Sequence, residues 1–286
     1  MASLRSSANM TSKLKDLLSS VLSAGELDLL VSSYDVVGDI AVIIVPEELQ
    51  ARERLIADTL LTNNTKVNVV AKRAGNYDGE FRTIALEILA GEHRTETLVT
   101  EFGVRLHLDV EKTYFSVRSG NERRRIASLV KAKEKVLVMF SGVGPYPLLI
   151  ARHSEAAWVV GVEKNPLAHE YALTNVKLNK KINNVRLYLE DAGNLPFFIA
   201  ERFDRIAMPL PTMAGEFLPV ALTMLEKDGG WIHYYAMAET GRFEDAVSEM
   251  TRACDDAGRT LLEARVIRCG HCGPKTYRIC VDARII

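Results

Sequence analysis

The chain has 286 residues, of which 48% are hydrophobic and 26% are charged, a composition typical of one or two globular domains. The net charge of −1 argues against a dedicated duplex-DNA binder, and no apolar run approaches the roughly 18 residues of a membrane helix. Four cysteines are too few for a disulfide framework, so we expect a cytoplasmic protein in a reducing compartment.

The first part of the chain predicts a small α+β region. Leucines at helical spacing predict a short helical preface at residues 1–24. A turn-rich segment, Tyr34–Asp39, precedes the apolar strand Ile40–Val45, and Pro46 followed by two acids predicts the start of a helix. Four more segments have the composition of short strands: Val67–Lys72, Arg82–Leu89, Glu96–Phe102 and Val104–Asp109.

From about residue 122 onwards, apolar strands alternate with amphipathic helices. The first two strands are predicted at Lys135–Phe140 and Trp158–Val162, and an antiparallel pair near the C-terminus should close the sheet. Strands that are apolar on both faces and alternate with helices indicate an α/β fold with a doubly wound parallel sheet. We therefore predict three regions: the preface at 1–24, a small α+β domain at 25–118 and a Rossmann-like domain at 119–286.

A glycine-rich turn, Phe140–Pro145, follows the first of these strands. Glycines there let the backbone approach a ligand at the carboxyl end of the strand, but the turn lacks the third glycine of the dinucleotide fingerprint. Glu163 ends the second strand, where an acid can accept hydrogen bonds from ribose hydroxyls, and Asp191 ends the third, where it could hold an adenine amino group.

Three such elements in this order predict a pocket for S-adenosylmethionine. Each element also has a purely structural interpretation when it is taken alone. The glycines could do no more than shape a turn, and Glu163 could do no more than cap a helix. The residues that we assign to cofactor binding lie on these turns and after the fourth strand: Phe140, Ser141, Gly142, Val143, Gly144, Glu163, Lys164, Asp191, Ala192 and Pro209.

Short motifs recur in order along most of the chain. They are Tyr34–Asp39, Gly79–Arg82, Leu89–Glu92 with Thr95–Thr97, Tyr114–Arg118 with Glu122 and Arg123, Gly142–Pro145, and Glu163–Pro166. Singly weak but together specific, they make the chain resemble the archaeal and eukaryotic tRNA guanine-37 N1-methyltransferase family. The resemblance implies a class I methyltransferase domain behind a small domain that positions the anticodon stem-loop. It also implies S-adenosylmethionine as cofactor, tRNA rather than DNA or a membrane as partner, and a monomer.

The resemblance also implies roles for five residues. Glu122 matches the proposed general base and Arg82 the residue that stabilises charge on guanine O6. N1 of guanine is protonated at neutral pH, so a carboxylate that takes this proton and a guanidinium at O6 suit the reaction. Tyr114 would stack on or position the target base, with Arg118 and Pro211 as further substrate contacts. Without the family, Glu122 could cap its helix, Arg82 could form a surface ion pair, and Tyr114 could belong to the core.

The chain departs from the family pattern at three places and at the N-terminus. An extra proline follows the glycine turn in Pro145-Tyr-Pro147, where the first turn of a helix tolerates it. Val138 stands in the first strand where an acid is usual, and Pro209 stands after the fourth strand where Asn is usual, so no side-chain amide is available there. Only about 24 residues precede the shared region, so we expect the family's additional N-terminal domain to be absent or vestigial.

Other functions stay open from the sequence. A sister family on the same scaffold transfers the aminocarboxypropyl group of the cofactor in wybutosine synthesis. Methyl transfer to another carbon or nitrogen of the position-37 base is also possible on this scaffold. The letters Gly-Val-Gly-Pro at Gly142–Pro145 favour methyl transfer, whereas Arg118–Asn121 is ambiguous between the two. A non-catalytic tRNA-binding paralogue is a further alternative. A single pair, Cys269 and Cys272, cannot close a tetrahedral zinc site, so we expect no metal.

Overall fold

The chain folds as two compact units in a computed structural model that describes residues 14–75 and 77–286. The first unit runs to Thr100 and also contains His107–Val117. The second unit contains Glu101–Leu106 and Arg118–Ile286. Each unit has its own core of buried apolar side chains, as a separate domain requires.

The predicted helical preface is described only in its second half. Residues 1–13 lie outside the described residues, and residues 14–18 are helical. Leu14, Leu18 and Leu22 are all buried in the core of the first unit, as their spacing of four residues predicts for one face of a helical segment.

The first unit is built on a short mixed sheet. Its elements in chain order are α1 (Ala24–Leu29), β1 (Asp35–Val37), β2 (Ile40–Ile43), a 3-10 helix (Glu47–Arg52), α2 (Glu53–Asn63), β3 (Val69–Arg73) and β4 (Leu86–Gly91). The strands are ordered β1-β2-β3-β4, with β2 and β3 parallel and the other neighbours antiparallel. Two further strands, β5 (Glu96–Glu101) and β6 (Val104–Asp109), form a separate two-stranded sheet.

Two predicted boundaries in the first unit are wrong. The segment Tyr34–Asp39, expected as a turn, contains strand β1 and turns only at its last two residues. The predicted strand Arg82–Leu89 begins only at Leu86, because an antiparallel bridge between Asp78 and Thr83 closes a tight turn before it.

The second unit is a seven-stranded sheet with helices between its strands. Its helices are α3 (Gly120–Leu129), α4 (Pro145–His153), α5 (Pro166–Leu178), α6 (Leu195–Phe198), α7 (Leu218–Met224) and α8 (Glu244–Asp256). Its strands are β7 (Lys135–Met139), β8 (Trp158–Glu163), β9 (Val185–Leu189), β10 (Arg205–Met208), β11 (Gly230–Glu239), β12 (Leu261–Gly273) and β13 (Thr276–Ile285). Among the described residues, no helix is both long and apolar enough to cross a membrane.

The strand order confirms the predicted Rossmann-like α/β fold. The order is β12-β13-β11-β10-β7-β8-β9, with β7 to β11 parallel and β13 antiparallel to both of its neighbours. From β7 the chain first adds β8 and β9 on one side and then β10 and β11 on the other. The carboxyl ends of β7 and β10 therefore flank the point where the winding reverses, which is where ligands bind in sheets of this type.

Candidate functional site

The glycine turn leaves strand β7 at this reversal point. Phe140, Gly142 and Gly144 have φ angles of +57°, +55° and +87°, a region that glycine adopts without steric cost. Gly144 is the N-cap of α4, and Pro145 is the first residue of that helix, where its missing N–H costs no hydrogen bond. The turn thus brings bare backbone to the carboxyl end of the sheet.

Glu163 connects this turn to the end of strand β8. Its Oε2 accepts a hydrogen bond from the Gly142 N–H at 2.7 Å, and its Oε1 accepts one from the Asn165 N–H at 2.7 Å. Burial raises the pKa of the Glu163 carboxyl above its ordinary value. Asn165, rather than Glu163, caps helix α5, because its Oδ1 accepts from the N–H groups at the start of that helix. Glu163 therefore keeps acceptor capacity for a ligand.

Asp191 and Lys164 form an ion pair beside the carboxyl ends of β8 and β9. The Lys164 Nζ lies 2.7 Å from Asp191 Oδ2, while Asp191 Oδ1 accepts from the Gly193 N–H at 2.8 Å. The hydrogen bond from Lys164 lowers the pKa of Asp191, with a further contribution from the Gly193 N–H. An adenine amino group at Asp191 would have to share this carboxylate with Lys164.

The other predicted cofactor residues surround the same turn. The Phe140 ring packs edge-on against Phe217, with ring centroids 4.9 Å apart. Ser141 and Val143 are buried behind the turn, and Ala192 is buried in the core of the second unit. Pro209 is half-buried directly after β10.

The donors and acceptors of this turn region fit a nucleoside cofactor. A glycine turn with positive φ angles, a partly used carboxylate at the end of the next strand and an aromatic ring lie at the reversal point of the sheet. Val138 is fully buried in the middle of β7, between Gly161 of β8 and Ala207 of β10, so no acid anchors the turn from that position.

Glu122 lies in the first turn of α3 and is only 6% exposed. The N-cap of this helix is Ser119, with no side-chain capping bond, so the interpretation of Glu122 as a cap is wrong. Its carboxylate instead accepts hydrogen bonds from the Arg125 guanidinium and the Tyr235 hydroxyl. Arg125 could be found from the sequence, because it follows Glu122 by three residues on the same helix. Tyr235 could not, because it lies on strand β11, 113 residues further along the chain.

The predicted catalytic residue Arg82 and the predicted substrate residue Tyr114 belong to the first unit. Arg82 occupies a tight turn at φ +51°, a conformation that is uncommon for a residue with a side chain. Tyr114 is 39% exposed, so it is not a core residue, and its ring packs edge-on against Tyr77 at 5.4 Å.

The remaining two substrate residues, Arg118 and Pro211, belong to the second unit. Arg118 lies in a 3-10 turn, Val117–Ser119, just before α3. Pro211 follows β10 and lines a cavity of about 830 Å³. Cys269 and Cys272 both lie on β12, where the Cys269 thiol donates to the backbone carbonyl of Arg278.

Two family models match the chain. The model described as "TRM5/TYW2 methyltransferase domain" matches residues 97–262, and the model described as "TYW2 N-terminal domain" matches residues 14–95.

Two curated relatives cover most of the chain. A tRNA (guanine(37)-N(1))-methyltransferase, Trm5b of Pyrococcus abyssi, is 36% identical over 89% of this chain and 75% of its own length. A tRNA(Phe) (4-demethylwyosine(37)-C(7)) aminocarboxypropyltransferase of Methanocaldococcus jannaschii is 32% identical over 88% of this chain and 97% of its own length.

Solved structures match the same architecture. Wild-type Trm5b from Pyrococcus abyssi gives a TM-score of 0.83 at 34% identity, covering 93% of this chain and 78% of that one. TYW2 of M. jannaschii in complex with AdoMet gives a TM-score of 0.68 at 25% identity, covering 88% of this chain and 98% of that one.

Proposed function

Because the chain belongs to the TRM5/TYW2 methyltransferase family, we propose that it transfers the methyl group of S-adenosylmethionine to N1 of guanine-37 in tRNA. The observation that carries the proposal is the hydrogen bond from Gly142 to Glu163 at the reversal point of the sheet. It fixes an open turn and a ribose acceptor side by side. The name of the Pyrococcus abyssi relative supports this choice of base and atom.

When bound, S-adenosylmethionine supplies an electrophilic methyl group. Glu163 would hold the ribose hydroxyls, Asp191 would accept a hydrogen bond from the adenine amino group, and Phe140 would pack beside the nucleoside. The backbone of Gly142 and its neighbours leaves room for close approach. The assignment is supported by the positions of Phe140, Glu163 and Asp191, which end or follow the adjacent parallel strands β7, β8 and β9.

Several side chains of the protein act on the guanine base. Glu122 accepts the proton of N1, so that the N1 lone pair becomes available to bond the methyl carbon, whose bond to the sulfonium sulfur would break with its electron pair left on sulfur. Arg82 donates N–H groups to O6, where negative charge develops as the proton leaves. Tyr114 offers an exposed ring for stacking on the base, and Arg118 and Pro211 are further substrate contacts.

Aminocarboxypropyl transfer to 4-demethylwyosine is the second candidate. It is favoured by the match of residues 14–95 to the TYW2 N-terminal domain and by the M. jannaschii relative. The letters Gly-Val-Gly-Pro at Gly142–Pro145 favour methyl transfer instead.

Cofactor labelled in two different places separates these candidates. We would offer S-adenosylmethionine carrying the label either in the methyl group or in the carboxyl carbon. The acceptors are tRNA transcripts with G37 or A37 and tRNA carrying 4-demethylwyosine at position 37. We expect methyl label on G37 alone, with a rate at least about 100-fold lower in Glu122→Gln. Carboxyl label on the wyosine substrate would establish the second candidate, and bound cofactor without transfer of either label would contradict both.

A further inference from the structure

The carboxylate of Glu122 is held by three hydrogen bonds inside the second unit. Arg125 donates from Nε to Oε2 at 2.8 Å and from Nη2 to Oε1 at 2.7 Å. The Tyr235 hydroxyl donates to Oε1 at 2.7 Å. Tyr235 is 1% exposed, so its hydroxyl has no access to bulk water.

These bonds leave Glu122 one place to accept a proton. An ionised carboxylate has about four lone-pair sites, two on each oxygen. Among the described residues, the Arg125 and Tyr235 donors fill both sites on Oε1 and one on Oε2. The plane of the carboxylate is fixed by the two parallel bonds from Arg125, so the direction of the last Oε2 site is fixed as well.

Arg125 is in turn held by a second carboxylate. Asp282 on β13 accepts from Arg125 Nη1 at 2.6 Å and from Nη2 at 3.1 Å. Burial alone would raise the pKa of Asp282, but the hydrogen bonds from His233 and Arg125 outweigh it and hold this pKa well below its usual range. Asp282 is therefore ionised at neutral pH and keeps the guanidinium in one orientation.

The ring of His233 continues this chain as a neutral donor. Its Nε2 lies 2.8 Å from Arg205 Nη1, and because arginine can only donate, Nε2 must carry the lone pair. The proton therefore sits on Nδ1, which lies 2.6 Å from Asp282 Oδ1. Burial lowers the pKa of His233, in agreement with a neutral ring. Glu134 anchors Arg205 through two further hydrogen bonds.

The signs of charge alternate along the chain of contacts. Three carboxylates (Glu134, Asp282 and Glu122) and two guanidinium groups (Arg205 and Arg125) leave a net charge of −1 when Glu122 is ionised. A proton on Glu122 cancels this excess charge. His233, Cys280 and Asp282 also lie close enough together to ligate a metal ion, but the guanidinium groups bonded to His233 and Asp282 oppose a cation there.

We propose that Arg125, Asp282 and Tyr235 are positioning residues that hold the carboxylate of Glu122 with one Oε2 acceptor site free for the N1 proton of guanine. This inference rests on the proposed function, in which Glu122 is the general base. The three residues act through Glu122 and need no contact with the tRNA or the cofactor.

Tyr235→Phe tests this proposal because it removes a single hydroxyl. We expect the single-turnover rate of methyl transfer to fall about 10-fold or more, as for the loss of a hydrogen bond to a charged group. The dissociation constants for S-adenosylmethionine and tRNA should stay within about twofold of the wild-type values. Tyr234→Phe is the matched control, because Tyr234 is the neighbouring buried tyrosine of β11 and donates to Glu249 instead. Its transfer rate should stay within about twofold.

A double variant separates positioning from a purely structural effect. The Tyr235 hydroxyl also accepts a hydrogen bond from the Tyr146 hydroxyl at 3.1 Å, and Tyr235→Phe removes that acceptor in either background. In Glu122→Gln, the further change Tyr235→Phe should not lower the residual rate, because the hydroxyl acts on the reaction through the carboxylate. An equal loss in both backgrounds would overturn the proposal. Asp282→Asn gives a second, independent test, since it should lower the rate about 10-fold with unchanged binding constants.

The outcomes also distinguish this inference from the proposed function. If the wild-type protein transfers a methyl group and Glu122→Gln lowers the rate about 100-fold while Tyr235→Phe and Asp282→Asn retain full rate, only the positioning roles are wrong. If the wild-type protein binds cofactor but transfers nothing to any of the three acceptors, the proposed function fails and the positioning roles fail with it.

Discussion

The Glu163 side chain is hydrogen-bonded to two turns of the proposed cofactor site, the glycine turn after β7 and the turn before α5. The backbone N–H groups of Gly142 and Asn165 hold its carboxylate from both sides. Burial raises the pKa of this carboxyl, so its protonated form is reached at a higher pH than in an exposed glutamate. The residue is therefore a pre-positioned acceptor whose ionised form is costly to maintain.

Replacing Glu163 with Gln should weaken cofactor binding. Hydrogen bonds to a charged acceptor contribute about 1.5–3 kcal/mol, so we expect the affinity for S-adenosylmethionine to fall about 10-fold or more. Wild-type affinity should also weaken as the pH falls, because protonation removes acceptor capacity from Glu163. Calorimetric titrations between pH 5 and pH 8 would measure both effects. Equal affinity in the two proteins, or the same pH dependence in both, would argue against Glu163 as the ribose acceptor.

Site residues that directly follow a strand can be predicted from the sequence more easily than site residues buried inside the second unit. The glycine turn and Glu163 could be predicted because each directly follows an apolar strand. Arg125 could be found from its position one helical turn after Glu122. Tyr235 and Asp282 could not, because their contacts with Glu122 and Arg125 join positions 113 and 157 residues apart and depend on strand order.

At the scale of elements, Gly161 controls how closely helix α4 packs on strand β8. A Cβ atom at Gly161 would lie 2.7 Å from Leu187 Cδ2 and 2.9 Å from Pro147 Cγ. Both distances are too short for carbon atoms in contact. The glycine therefore lets the first turn of α4 lie directly against the sheet, next to the glycine turn that precedes it.

Gly161→Ala should destabilise the second unit through overpacking. We expect a loss of about 1–3 kcal/mol in the free energy of unfolding, measured by urea denaturation. Gly25→Ala is the matched control, because nothing lies within 4 Å of the added Cβ and alanine favours the helix in which Gly25 lies. Equal stability of Gly161→Ala and the wild-type protein would contradict the close packing of α4 on β8.

Most elements could be predicted from the apolar pattern, and the failures have local causes. Runs such as Lys135–Met139 identify strands that are covered on both faces. The start of the strand at Leu86 was missed because positive φ angles at Gly79 and Arg82 build a turn within a β-rich segment. The helix after Pro46 begins with 3-10 geometry, which the pattern of apolar residues does not distinguish from an α-helix.

At the scale of the whole molecule, each unit contains an aspartate that is held in its ionised form. In the first unit, hydrogen bonds from Arg94 outweigh partial burial and, with Thr97 and Asn68, hold the pKa of Asp39 well below its usual range. In the second unit, the hydrogen bonds from His233 and Arg125 hold the pKa of Asp282 well below its usual range, although burial alone would raise it. Because both pKa values are lower in the folded state, the ionised carboxylates stabilise the fold.

This linkage predicts a loss of stability in acid. The stabilisation from Asp39 is complete above its unfolded-state pKa of about 3.9 and declines as the pH falls below that value. Asp39→Asn should lose about 1–3 kcal/mol of unfolding free energy at pH 7. It should also lose less additional stability than the wild-type protein between pH 5 and pH 3. Urea denaturation followed across this pH range would measure both effects, and an unchanged acid dependence in the variant would contradict the role of Asp39.

The most direct measurement is the identity of the nucleoside at position 37 after incubation with S-adenosylmethionine. A tRNA transcript with G37 would be digested to nucleosides and analysed by mass spectrometry. We predict 1-methylguanosine from the wild-type protein and at least about 100-fold less of it from Glu122→Gln over the same incubation. Unmodified guanosine from the wild-type protein, at cofactor concentrations that saturate its binding site, would contradict the proposed methyl transfer to guanine-37.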